Sequence, residues 1–281
     1  MISMNEILKQ IDYLPVFNKT AQKALGLLRD EFSSNKEIAD VIKYDTGLTA
    51  NILKLANSAY FAHTVEVKEL SNAISFLGRD KIYQIVTLQS SSKYFKNLSE
   101  GYESDAGELW KHSISSGIIA EHLSYLEPNV NKGQLFSAAI LHDIGKTILC
   151  LWVKDEWKVI QDLINNKKIG FAEAEKSVLG YTHCQVGGAI LQRWMFPDDI
   201  VLSARNHHDE KIHSNPVVRI TKLSDYMSIM MGYTTDGDNL QYGGYDELIS
   251  YYKIKTSELE VILNNCFMII QSVIDDFYKI D

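Results

Sequence analysis

Apolar residues recur along this chain at helical spacing, and no stretch alternates with the two-residue rhythm of a strand. From about residue 18 to 95 the pattern predicts a series of short helices. Ser34-x-x-Glu37 has the form of a capping box ahead of Ile38, Val41 and Ile42. Leu48, Ile52, Leu55 and Ala59 then recur on one prospective buried face. Ser71 is placed to cap a segment carrying Ile74, Leu77, Ile82, Ile85 and Val86, which Gly78 interrupts. Residues 96–107 are polar, contain two glycines and read as a linker. Beyond them, helices are expected at about 108–125, 133–152, 155–165, 171–177, 182–195, 198–209 and 215–231. Residues 232–246 hold four glycines and predict a surface loop, and Ser257-x-x-Glu260 predicts the start of a last helix. The four prolines, at 15, 128, 197 and 216, all fall at expected boundaries, where a missing N–H is tolerated. The expected fold is all-α: a helical N-terminal lobe over 1–100, packed against a second helical lobe over 101–281.

Composition narrows the function classes. Apolar residues make up 46% of 281, enough for a packed core. The net charge of −8, with no basic block, argues against nucleic acid as a partner. No run of about 18 uninterrupted apolar residues is present, so no membrane span is expected. The opening Met1-Ile2-Ser3-Met4-Asn5-Glu6 does not resemble a secretory signal. Cys150, Cys184 and Cys266 form no C-x-x-C pair and read as buried free thiols. These features predict a cytoplasmic protein.

Histidine carries the chemistry. Five of the eight histidines fall into an order with two aspartates. His112 follows the linker. His142 and Asp143 are adjacent, in Leu-His-Asp-Ile-Gly-Lys. His183 lies 40 residues beyond Asp143, His207 and His208 are adjacent, and Asp225 follows His208 by 17 residues. Imidazole and carboxylate together suit borderline divalent ions such as Fe, Mn, Zn and Ni. One or two such ions on inward-facing helices would lower the pKa of water to ~7 and stabilise both oxygens of a phosphoryl displacement. An adjacent His-Asp pair cannot share one face of a continuous helix, where neighbours are ~100° apart; it works at a helix end or where two metals are bridged, and Gly145 would suit such an irregular place. Taken singly, each piece has a blander reading as a satisfied core or surface residue. His63, His122 and His213 read as surface or structural.

The series His112…His142-Asp143…Asp225 resembles the signature of the HD superfamily of metal phosphohydrolases. His183 and His207-His208 resemble the extra ligands of its HD-GYP branch, whose members hydrolyse cyclic di-GMP at two- or three-metal sites. By that resemblance Lys146 would contact a phosphate, and Glu108, on the face of His112, matches an additional ligand position. The N-terminal half is similar to the HDOD family: Leu14-Pro15, then Asp45-Thr46-Gly47-Leu48-Thr49, then Leu55-Ala56-Asn57-Ser58-Ala59-Tyr60-Phe61, then Ala73-Ile74-Ser75-Phe76-Leu77-Gly78. Asn57 and Ser58 also have a plain reading as caps near a helix end. HDOD proteins are regarded as regulatory modules of bacterial signalling, often with a degraded metal site. Here the ligand positions are filled, while the Gly-Tyr-Pro segment of HD-GYP proteins is missing after His208.

Three functions follow from that resemblance. The first is a regulatory protein acting on an unidentified signalling partner, with a retained metal site at His112, His142, Asp143, His183, His207, His208 and Asp225. The second is a metal-dependent phosphohydrolase acting on a nucleotide, a cyclic dinucleotide or another phosphate ester, with Asp143 and Lys146 catalytic. The third is a sensor that holds a phosphate ligand without turnover.

Overall fold

The structure, a computed structural model, describes residues 3–11, 17–57, 67–96, 107–152, 154–234 and 244–278. Leu14-Pro15, Ser58 to Phe61, His63, most of the expected linker and most of the 232–246 loop lie outside them. Every regular element among the described residues is helical, as the apolar spacing predicts. The chain divides into two compact units, Pro15–Ser91 and Met1–Leu14 with Ser92–Asp281.

Helix α1 (Met4–Ile11) groups with the larger unit. The smaller unit holds α2 (Lys19–Arg29), α3 (Asn35–Ile42), α4 (Thr46–Ala56), α5 (Leu70–Leu77) and most of α6 (Arg79–Lys96). Its short helices depend on caps, since each first turn leaves N–H groups without partners. Asn18 and Asp45 accept backbone N–H groups at the starts of α2 and α4. The Ser34–Glu37 box is formed as expected. Arg79 closes the turn after α2, donating to the carbonyls of Leu28, Ser33 and Asp30. Asn57 ends α4: its amide donates to the Leu53 and Val67 carbonyls, and its Oδ1 accepts from the Val67 N–H.

Two details of the periodicity differ from expectation. The buried stripe of α4 is Leu48, Ile52 and Ala56, a strict i, i+4, i+8 row, and Leu55 sits at its half-exposed edge. The cap position of α5 is Glu69, so Ser71 lies inside the first turn. Gly78 separates α5 from α6 at φ 82°, the left-handed region a side chain disfavours.

The larger unit continues with α7 (Glu108–His122), a 3-10 turn (Leu123–Leu126), α8 (Lys132–Leu141), α9 (Ile144–Trp152), α10 (Lys154–Lys167), α11 (Phe171–Leu179), α12 (His183–Arg193), α13 (Asp198–Asn206), α14 (Pro216–Met230), α15 (Tyr245–Tyr252) and α16 (Thr256–Tyr278). Helices α7 and α14 are buried on nearly all sides, and with α8 and α13 they form the core. Helix α16 packs on α7 through Ile262, Cys266, Ile270 and Ile274, an i, i+4 stripe, while Phe267, Met268 and Ile269 stay exposed. By length and composition its segment Thr256–Ile274, of mean hydropathy 1.2, could also cross a membrane. It begins before the expected Ser257 box, with the Lys255 N–H donating to Glu258. Neither α1 nor α15 was expected from the sequence. Helix α15 is held by Tyr252, which with Arg219 shares Glu127, and by Tyr245 stacked on Tyr226 at 3.7 Å.

The expected 133–152 helix breaks between Leu141 and Ile144, leaving His142-Asp143 as the turn between α8 and α9. Gly145 has a different role from the one its place at a bend suggested. A Cβ there would lie 2.0 Å from the His183 carbonyl oxygen and 2.7 Å from the Gly187 nitrogen, so the residue exists to let α9 cross α12 backbone to backbone. Gly145→Ala should therefore destabilise the protein by about 1–3 kcal/mol, the usual cost of overpacking. Gly26→Ala, on an exposed face of α2 with nothing near its Cβ position, should stabilise by ~0.5–1 kcal/mol. Urea denaturation of the two variants checks both signs.

Candidate metal centre

Seven side chains singled out in the sequence converge in the larger unit, and most of them stand at helix ends. His142 follows the last residue of α8, His183 is the first residue of α12, and His207 and His208 follow α13. His112 and Asp225 project from the buried helices α7 and α14. All seven are buried or nearly so.

Asp143 is the common centre. Its Oδ2 lies 3.4 Å from His142 Nε2 and 3.7 Å from His112 Nε2, and it accepts from Lys146 Nζ at 2.7 Å. Its Oδ1 lies 3.4 Å from His183 Nε2 and 3.5 Å from His207 Nε2. Asp225 Oδ1 stands 3.1 Å from His112 Nε2, and Oδ2 is 3.9 Å from His208 Nδ1. Ligand-type atoms fall into overlapping groups: His112, His142 and Asp225; His142, Asp143 and His207; and His183, Cys184, His207 and His208.

The ring orientations are fixed from behind. Nδ1 of His112 donates to the Tyr233 carbonyl at 2.8 Å, and Nδ1 of His142 to the Ala139 carbonyl at 2.6 Å. Nδ1 of His207 donates to the Ala204 carbonyl at 3.0 Å. Nδ1 of His183 donates to Glu175 Oε2 at 2.6 Å, and the same oxygen accepts the His183 backbone N–H. Since these acceptors take only a donor, Nδ1 of each ring keeps its hydrogen, and Nε2, which faces the centre, is left to carry either a proton or a metal ion. Asp143 Oδ1, fully buried, makes no hydrogen bond. An acceptor left bare inside a protein costs ~1–3 kcal/mol, and an ionised one more. A cation between Oδ1 and the imidazoles removes that cost. The donors present fit a divalent transition metal.

Electrostatics point the same way. Burial pushes the Asp143 carboxyl upward, but Lys146, His142 and His207 outweigh it and hold it well below the usual carboxylate range. Asp225 is lowered likewise, hydrogen bonds from His112 and His142 overcoming burial. Burial disfavours the His142 imidazolium, yet Asp143 and Asp225 raise it to about 10. Against the same burial, Cys184 and Asp143 raise His207 to about 8, and Cys184 and Glu175 carry His183 well above its ordinary value. His208 moves the other way, driven down by burial and then by its neighbours His207 and His183.

Three placements add detail to the expected site. Lys146 is buried, with its Nζ 2.7 Å from Asp143 Oδ2. Glu108 pairs with Lys111 at 2.6 Å and lies in none of the ligand groups. Cys184 is a buried free thiol, as expected, but its Sγ sits 3.3 Å from His183 Nε2 and 3.9 Å from His207 Nε2. Sequence reasoning also missed Glu175, eight residues before His183 on another helix, for which no spacing rule gives a signal. His213 is structural, its Nδ1 accepting the Asn215 N–H. Beside the cluster opens a cavity of about 1090 Å³, lined by Lys176, Arg193, Arg205, Gln185, Cys184 and His208 among others.

Comparison with known proteins agrees with this architecture. An HDOD domain protein of Geobacter sulfurreducens, of unknown function, superposes with a TM-score of 0.75 at 22% identity, covering 96% of each chain. A Shewanella amazonensis protein, named only as a candidate phosphohydrolase, superposes with a TM-score of 0.70 at 19% identity over 93% of each. The chain spans 39% and 26% of the lengths of the curated relatives it matches. One of these, ribonuclease Y of Mycoplasmoides gallisepticum, is 27% identical over 174 residues, which is 58% of this chain. The HDOD domain model matches residues 14–210, and the chain belongs to the HDOD family.

Proposed function

We propose that this HDOD protein is a signal-transduction component that acts on a protein partner and holds one or two divalent transition-metal ions at its histidine–aspartate centre. The observation that carries the metal is the Asp143 carboxylate, whose two oxygens face two different sets of imidazoles. His112, His142 and Asp225 would hold one ion with Oδ2, and His183, His207 and His208 the other with Oδ1. Iron, manganese, zinc and nickel all suit these donors. A cytoplasmic location fits the three free buried cysteines.

A second reading, a phosphohydrolase acting on a nucleotide or another phosphate ester, is favoured by the cavity beside the centre. Lys176, Arg193 and Arg205 line it together with His208, so an anionic ligand would meet cations on its way to the cluster. Divalent ions at such a site supply charge stabilisation to phosphoryl oxygens. Asp143 would hold them in register, and Lys146 would neutralise and position Asp143 rather than touch the phosphate. The names ribonuclease Y and candidate phosphohydrolase belong to the same class of chemistry and support this reading.

Protein purified without chelator or tag histidines should carry about one to two equivalents of transition metal by elemental analysis. Asp143→Ala removes the donor common to both sets and should bring the content close to zero, whereas Glu108→Ala should leave it unchanged. Wild-type protein that takes up no metal after incubation with Fe, Mn and Zn would sink the metal reading.

The pH dependence has a definite sign. With pKa values raised to about 10 and about 8, His142 and His207 carry protons at pH 7 in the ion-free protein. A metal binds only the deprotonated ring. Uptake at pH 7 should therefore release protons, and affinity should rise with pH by about tenfold per unit for each proton displaced. Calorimetry in buffers of different ionisation enthalpy counts those protons; a count of zero contradicts the prediction.

If the centre turns over substrate, a panel of nucleotides and generic phosphodiesters should reveal it. His142→Ala should then cost more than ~100-fold in rate. Lys176→Gln with Arg193→Gln should raise KM about tenfold with kcat nearly unchanged, the mark of lost ground-state binding. Metal-loaded protein inert on the whole panel would leave the signalling reading alone.

A further inference from the structure

Neither reading of the function gives Cys184 a role, yet it stands among the imidazoles of one half of the centre. Its Sγ lies 3.3 Å from His183 Nε2 and 3.9 Å from His207 Nε2. With His183, His207 and His208 it forms a set of four ligand atoms that all lie within 4.8 Å of one another. Tetrahedral coordination with metal–nitrogen distances near 2.0 Å and metal–sulfur near 2.3 Å separates ligand atoms by about 3.3–3.6 Å. Cys184 meets that spacing with His183 and comes close to it with His207. The other two cysteines have no such company: Cys150 donates to the Thr147 carbonyl, and Cys266 lies in the stripe that α16 packs on α7.

A second observation points to an ion in this half. Asp143 Oδ1, buried and without a hydrogen-bond partner, is aimed between His183 and His207, the two rings that Cys184 approaches. The other half, around His112, His142 and Asp225, offers only nitrogen and oxygen.

We infer that Cys184 is a sulfur ligand of the ion held by His183, His207 and His208, so that the two halves of the centre select different metals. The inference rests on the two-set reading of Asp143. A thiolate favours zinc, cobalt(II) or iron(II) over manganese and magnesium, whereas the nitrogen–oxygen half accepts manganese as well.

The test is cobalt substitution of the full chain, stripped of metal and reloaded with Co(II). The wild type should show a near-ultraviolet thiolate-to-cobalt charge-transfer band. The band should survive in Cys150→Ser and Cys266→Ser and disappear in Cys184→Ser. Cys184→His, which restores a ligand without sulfur, should keep the second cobalt but lack the band. In Cys184→Ser, affinity for zinc should fall by at least the roughly 10–100-fold that loss of an outer-shell partner costs, and manganese binding should be unchanged. Cobalt bound to the wild type without the band, or a band that persists in Cys184→Ser, overturns the role of Cys184 and leaves the metal centre standing. Failure of the wild type to bind cobalt, zinc or manganese overturns both.

Discussion

The burial of Asp143 is the constraint around which the larger unit is arranged. A carboxylate removed from water must be surrounded by positive charge or by donors, and the net cost is large if it is not. Lys146 satisfies one oxygen. The other oxygen faces the Nε2 atoms of His183 and His207, both already committed through Nδ1 to acceptors behind them. Two solutions satisfy it: protons on the imidazoles, or a divalent ion between them. The upward shifts of His142, His183 and His207 are the first solution in the absence of an ion. Protons and metal compete for the same lone pairs, so the polar core keeps its charge balance in either state.

The fold supplies this arrangement from an ordinary weakness of helices, the unpaired groups at their ends. Helix α8 stops at Leu141, which frees the Ala139 carbonyl for His142 Nδ1. Helix α13 stops at Asn206, and the Ala204 carbonyl does the same for His207. At the start of α12 the unpaired N–H of His183 goes to Glu175, which also holds the ring. The backbone groups that a helix end must satisfy in any case thus orient the imidazoles. Bringing these ends together requires α9 and α12 to cross closely, and Gly145 against Gly187 makes that crossing.

Much of this was legible in the sequence because it depends on local rules. The Ser34 box, the break at Gly78 and the prolines at the starts of α13 and α14 are short-range signals, and each lies where expected. The adjacency of His142 and Asp143 allowed a helix end or two bridged metals, and the structure has the helix end. What escaped depends on tertiary partners. Helix α15 is eight residues long and is held through Tyr252, Arg219 and Glu127, from three separate parts of the chain. The edge position of Leu55 reflects what packs on α4, not its spacing. Glu175 is an unremarkable acidic residue on a helix until the fold brings it to His183. The pairing of Lys146 with Asp143, three residues earlier, is likewise seen only once the turn between α8 and α9 is folded.

The two faces of the centre are unequal in access as well as in ligands. Cys184 and His208 line the cavity that holds Lys176, Arg193 and Arg205, while His112, His142 and Asp225 do not. An anionic ligand arriving through that cavity would meet the His183 half first, with three cations to draw it in. The opposite half takes His112 and Asp225 from α7 and α14, helices buried on nearly all sides, and His142 from the end of α8. An ion in the buried half would therefore serve chiefly to hold helices together, and an ion beside the cavity would be the one a ligand could reach. Because the two oxygens of Asp143 face different imidazoles, an ion on the accessible side would bear directly on the turn between α8 and α9, where Asp143 stands.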